Sequence, residues 1–169
     1  MVESIVTWFT THLVGVVSKE VIIFIISMIP ILELRGGLIA ASPVFLDVPI
    51  LKAVPICIIG NIIPVPFILL LITKVFDWMK GTRYLKPIAE KFENKAMSKK
   101  DQIERYEFWG LVLFVGIPLP GTGAWTGSLI AALLGMRFKK AFPAVLIGIC
   151  LATIIMSTLF YGLVGAIFG

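Results

Sequence analysis

The chain has 169 residues, of which 59% are hydrophobic and only 15% charged, and its mean hydropathy is +1.02. Soluble domains carry about 25% charged residues, so the composition excludes an ordinary soluble enzyme and predicts a single-domain, all-α integral membrane protein. The net charge of +5 does not point to nucleic acid, because the basic residues flank apolar segments and read as topology determinants.

Met1-Val-Glu-Ser lacks a basic n-region and no small-residue cleavage site follows, so a removed signal peptide is not expected. In residues 1–18, Ile5, Trp8, Phe9, Leu13, Val16 and Val17 fall on one helical face, with Ser4, Thr7, Thr11 and Ser18 opposite. That pattern predicts an amphipathic helix lying in the membrane interface, with His12 a plain interfacial residue. The remainder divides into a first repeat (19–75), a cytoplasmic linker helix (76–107) and a second repeat (108–169).

In the first repeat, the apolar run Val21 to Leu32 would reach roughly 18 Å as a helix, short of the ~30 Å hydrocarbon core. Pro30 and Glu33-Leu-Arg35-Gly-Gly follow, then a shorter apolar arm from Leu38 to Leu46. Two short arms around a charged, Gly-rich turn predict a re-entrant helical hairpin that enters and leaves on one side. Ala53 to Thr73 holds 21 uncharged residues, enough to cross once. Asn61, Pro64 and Pro66 predict a kink within it.

Residues 74–107 carry nine Lys/Arg and six Asp/Glu, and Leu85, Ile88, Ala89 and Phe92 form an apolar stripe for a surface-lying helix. A run of 29 uncharged residues follows, Phe108 to Met136. Its centre is Pro118-Leu-Pro-Gly-Thr-Gly-Ala-Trp-Thr-Gly127, which cannot run as a regular helix. Broken backbone at membrane depth survives only where protein buries it or water reaches it, so this stretch reads as the tip of a second re-entrant hairpin. After Arg137, Lys139 and Lys140, Ala141 to Gly169 can cross once.

Lys52-Ala-Val-Pro55 with Gly60 recurs 88 residues later as Lys140-Ala-Phe-Pro143 with Gly148, and Pro30 has the same relation to Pro118. Leu-Ile-Ala-Ala occurs at 38–41 and at 129–132, a displacement of three further residues. Each half then reads as a hairpin plus one crossing helix, and one net crossing per half inverts the second copy. This inverted repeat gathers twelve of the fifteen basic residues on the linker side; four ordinary spanning helices would separate them. The positive-inside bias favours the hairpins, in a plasma membrane with the linker cytoplasmic.

Glu33 and Arg35 are the only charges at a hairpin tip. Intramembrane charges face a partner or a cavity, so Glu33 reads as a proton or cation site and Arg35 as a grip for phosphate or carboxylate. Alternatively the two pair with each other or cap the broken helix. The second tip offers Thr122, Thr126 and Ser128 hydroxyls, the Gly121 and Gly123 amides, and the Trp125 ring. A helix restarting after Gly123 would point free N–H groups into the membrane. Thr122 or Thr126 could equally be its N-cap, and Trp125 simple packing. Asn61 either completes the site or satisfies backbone freed by Pro64 and Pro66. Cys57 and Cys150 read as small packing residues, and no metal, disulfide or enzyme signature stands out.

With Glu33-Leu-Arg-Gly-Gly37 and Pro118-Leu-Pro-Gly-Thr-Gly-Ala-Trp-Thr-Gly127 in view, the chain resembles the small multidrug export protein family over roughly residues 20–165. That family is similar in layout to the DedA-like membrane proteins. The wider resemblance implies translocation of a lipid phosphate such as undecaprenyl phosphate, or of a phospholipid, with proton or sodium coupling and a role for Glu33 by motif position. DedA-like second hairpins carry arginines, whereas none lies between Phe108 and Met136 here, which leaves the anion grip to Arg35. The expectation is an ion-coupled transporter or flippase for an amphipathic anion, with no cofactor beyond H+ or Na+. Glu33 would couple; Arg35, Gly121, Thr122, Gly123, Trp125, Thr126 and Asn61 would bind substrate. Its partners would be membrane lipids and that substrate, with a homo-oligomer left open. The alternatives are efflux of lipophilic cations and a non-transporting membrane scaffold.

Overall fold

The computed structural model describes residues 2–98, 107–119 and 121–163, and is helical with no strand among them. Residues 99–106 of the linker, Pro120 of the second tip and the end of the last predicted crossing (164–169) lie outside the described residues.

Helix α1 (Val2–Leu13) is followed by α2 (Lys19–Met28), whose N-cap Ser18 accepts the Val21 N–H. Pro30 cannot continue α2 and forces Ile29 into an extended conformation, ψ 131°. The chain restarts as α3 (Glu33–Ala41), which stops at Ser42 before Pro43. Helix α4 (Ile50–Ile62) and α5 (Pro64–Lys80) are separated only by Ile63, itself α-helical in its dihedrals, so the prolines interrupt hydrogen bonds without breaking the path. Then follow α6 (Lys86–Met97), α7 (Glu107–Gly116), α8 (Ala124–Leu133) and α9 (Phe138–Ser157), which continues as a π-helical turn through Thr158–Leu163.

Several local expectations change. Glu33-Leu-Arg-Gly-Gly37 is not a turn but the opening of α3; the turn is Ile29 to Leu32. Helix α1 ends at Leu13, and the face it packs against α2 and α3 centres on buried Val6, while Trp8 and Val16 are exposed. In α6 only Ala89 of the apolar stripe is buried; Ile88 and Phe92 face outward. Cys57 packs against Gly37, but Cys150 is exposed on α9 and fills no core position.

Helix α2 packs on α3 and both pack on α4, while α7 packs on α9, α8 on α5, and α3 and α4 on α9. The 88-residue offset governs this packing. It relates both ends of α2 to those of α7, and the start of α4 to that of α9. Gly60 lies against Phe24 and Ser27, and Gly148 lies against Val112 and Val115, the same two positions moved by 88. Likewise Gly37 faces Ile23 and Ser27, and Gly127 faces Leu111 and Val115. A side chain at any of these glycines would push the paired helices apart.

The ends of each hairpin meet. Lys19 Nζ donates to the Leu46 carbonyl at 2.6 Å, and Lys140 pairs with Glu107. Tyr161 Oη donates to the Val48 carbonyl at 2.9 Å, beside the base of the first hairpin. Helix α9 therefore has the base of the second hairpin at its start and that of the first near its end, roughly 30 Å away at 1.5 Å per residue.

Two continuous helical stretches, Ile50–Lys80 and Phe138–Gly162, are long and apolar enough to cross a membrane, with mean hydropathies of 2.5 and 2.2. Their most apolar windows are only 33% and 39% buried, so most of that apolar surface faces outward rather than into a core. A core helix of a soluble protein would bury most of it.

Candidate functional site

The two hairpin tips meet, and each supplies what the other's broken helix lacks. Helix α8 begins at Gly123, whose φ of 139° and ψ of −174° suit glycine alone and whose missing side chain provides no cap. The cap comes from the other hairpin. Glu33 Oε2 accepts the Ala124 N–H at 3.0 Å and Oε1 accepts the Trp125 N–H at 3.0 Å. The carboxylate sits on the positive end of α8 and is only 5% exposed. Such bonds to a charged acceptor contribute about 1.5–3 kcal/mol each.

Arg35 reaches the opposite break. Its Nη1 donates to the Leu119 carbonyl at 2.9 Å, and its Nη2 to the Ile117 carbonyl at 3.2 Å and to Thr122 Oγ1 at 3.0 Å. Those carbonyls follow the C-terminal end of α7, where a cation complements the helix dipole. Glu33 and Arg35 therefore do not pair with each other; two residues apart on α3, they divide the two broken ends between them. The second tip returns the favour through Trp125, whose Nε1 donates to the Met28 carbonyl at the end of α2, 3.1 Å away.

Neither threonine is the N-cap of α8. The Thr122 hydroxyl instead lies within 2.9 Å of both the Ile117 and Leu119 carbonyls and accepts the Leu119 N–H, closing the loop on itself. Thr126 is half-buried in the first turn of α8, and Gly121 takes a positive φ of 76° in the loop. Asn61 is buried, its side-chain oxygen has no hydrogen-bond partner, and its amide makes no hydrogen bond to the backbone carbonyls near Pro64. Val48 bonds back to Ala41, and Gly37 faces Cys57, so α3 and α4 run antiparallel. Asn61, one turn beyond Cys57, therefore lies at the level of Glu33, one turn before Gly37.

Ile31 and Glu33 both have positive φ, 81° and 51°. For a β-branched residue this is an outlier, and such conformations cost on the order of 1–3 kcal/mol each, typically where a structure binds or switches.

Sequence reasoning named Glu33, Arg35, Thr122, Gly123 and Trp125, which the structure brings together. It missed their partners, the amides of Ala124 and Trp125 and the carbonyls of Met28, Ile117 and Leu119. One signal was available: a helix that starts at glycine inside an apolar run must take its cap from elsewhere. Among the described residues no group of three His, Cys, Asp or Glu is placed to hold a metal ion.

No curated protein and no solved structure matches the chain. The family described as "Putative small multi-drug export protein" matches residues 33–155, beginning at Glu33 itself and taking in both tips. Glu33, Arg35 and the loop they hold all fall within that stretch, which covers well over half of the sequence, and the chain belongs to the small multi-drug export protein family.

Proposed function

We propose that this protein is an ion-coupled transporter or flippase of the cell membrane for an amphipathic anion, such as a polyprenyl phosphate or phospholipid, with its site where the two tips meet. The observation that carries the reading is the Glu33 carboxylate on the Ala124 and Trp125 amides. Those amides form an anion-binding position at a helix start, deep between opposed hairpins. While ionised, Glu33 fills that position; once neutralised by a proton or cation, it yields the position to the anionic group of the substrate. Arg35 stands beside the same loop to receive that group, and Thr122, Trp125, Thr126 and Asn61 are the further residues assigned to bind it.

The membrane arrangement is part of this proposal. It is supported by two apolar crossing stretches, by hairpin bases at opposite ends of α9, and by twelve basic residues on one side. Each hairpin then enters from its own face as a re-entrant loop, the repeats are inverted, and residues 76–107 are cytoplasmic. The layout is that expected of DedA-like proteins.

Glu33→Gln tests the reading. It should abolish coupled transport of a fluorescent phospholipid or polyprenyl phosphate in proteoliposomes, while the purified protein still melts cooperatively. Undiminished transport would remove Glu33 from the mechanism. The family description favours a second reading, efflux of lipophilic cations, in which Glu33 pairs the substrate charge and Trp125 stacks on it. Loss of cation tolerance in cells carrying Glu33→Gln, with lipid transport absent in both forms, would select that reading. A scaffold would transport neither.

A further inference from the structure

The charges on the linker side are sorted. Glu93 of α6 pairs with Lys80 at the end of α5 at 2.6 Å, and Glu90 lies 3.9 Å from Lys86. Asp77 precedes Lys80 by three residues and acts on the same ammonium, while Glu107 pairs with Lys140. Every described carboxylate from 74 to 107 therefore has a lysine beside it. Five cations are left over. Lys74, Arg83, Lys91, Arg137 and Lys139 are exposed and form no ion pair among the described residues. Exposed rings stand next to them. Trp78 is one turn from Lys74 on α5, Tyr84 follows Arg83 and Phe92 follows Lys91, each more than half exposed. On α6, Lys86 and Glu93 flank buried Ala89 on one side, and Ile88, Lys91 and Phe92 share the other. Helix α6 packs on α5 and α8, and Arg137 and Lys139 follow α8 at the base of the second hairpin.

We propose that this surface binds the headgroups of anionic phospholipids in the cytoplasmic leaflet, at a place separate from the hairpin tips. A lipid phosphate supplies the charge that the five cations lack, and rings beside them bed at the boundary between headgroups and acyl chains. Position favours a lipid over an acidic protein. Lys74 and Trp78 lie in the last two turns of the crossing stretch Ile50–Lys80, and Arg137 immediately precedes Phe138–Gly162, so all three are within reach of headgroups. This binding rests on the membrane arrangement proposed above and is independent of what the tips carry. Beyond placing a helix at the surface, it makes the protein selective for lipid charge.

The test titrates phosphatidylglycerol or phosphatidylcholine into the full chain, purified in a neutral detergent. Native mass spectrometry counts the lipid retained, and the thermal midpoint is followed beside it. Phosphatidylglycerol should be retained over phosphatidylcholine and should raise the midpoint saturably, and high salt should shrink both effects. Arg83→Gln with Lys91→Gln, and Arg137→Gln with Lys139→Gln, remove exposed charges only. Each pair should weaken phosphatidylglycerol binding about fivefold per charge removed. Equal retention of the two lipids would overturn the proposal. So would a preference that survives loss of all four charges but falls with Arg35→Ala, which would move the lipid to the tips. Polyglutamate raising the midpoint as far as phosphatidylglycerol does would overturn it too, by making the surface one for an acidic protein.

Discussion

Gly123 leaves the space that the Glu33 carboxylate fills. A Cβ at Gly123 would stand 2.7 Å from Glu33 Cδ and closer still to a carboxylate oxygen, and the φ of 139° is itself unsuited to any other residue. Gly123→Ala should therefore displace Glu33 from both α8 amides and cost about 3–6 kcal/mol, the sum of two charge-assisted bonds. Chemical denaturation in detergent micelles measures it. A variant as stable as the parent would mean that the tips do not meet in this way.

Arg35 should not tolerate lysine. Its guanidinium spans three acceptors on the second tip, a span that a single ammonium cannot reproduce. Arg35→Lys keeps the charge but should lose about 1–3 kcal/mol of stability, leaving at least one carbonyl without its donor. If charge alone matters, the lysine variant will match the parent and only Arg35→Ala will fall.

Trp125→Phe removes one bond and little volume. Without Nε1, the Met28 carbonyl loses its partner across the tips, and stability should fall by about 0.5–1.5 kcal/mol. A double-mutant cycle with Gly123→Ala should show coupling, because both substitutions loosen the same junction.

The repeat makes a paired prediction. Gly60→Ala and Gly148→Ala press on α2 and α7 at equivalent places and should each cost about 1–3 kcal/mol by overpacking. Gly162→Ala, with its nearest heavy atom 3.9 Å away, should be nearly neutral. Unequal effects at Gly60 and Gly148 would mean that the two contacts only look alike.

The repeat was legible because prolines, lysines and glycines recur at one spacing, and helix starts and close helix contacts follow from just those residues. The restart after Gly123 was legible for the same reason. The reciprocal capping was not. Glu33, Arg35 and Trp125 all bond to backbone atoms of the opposite hairpin, and a backbone amide or carbonyl leaves no residue-specific mark in a sequence. The glycines at 36 and 37 looked like a turn because their helical role, close contact with α2 and Cys57, depends on neighbours that only folding supplies. Cys150 could not be told from a core cysteine, since outward-facing and buried positions are equally apolar along α9.

The most direct test of two opposed hairpins is cysteine labelling in intact cells, on a background without Cys57 and Cys150. Single cysteines at the exposed positions Ser18, Val44, Ser98 and Lys139 report the four relevant ends. The account predicts that impermeant reagent reaches Ser18 and Val44 from outside, and Ser98 and Lys139 only after permeabilisation. If Ser18 and Val44 label from opposite sides, or Ser98 and Lys139 do, that hairpin crosses the membrane and the meeting of the tips is not the centre of this protein.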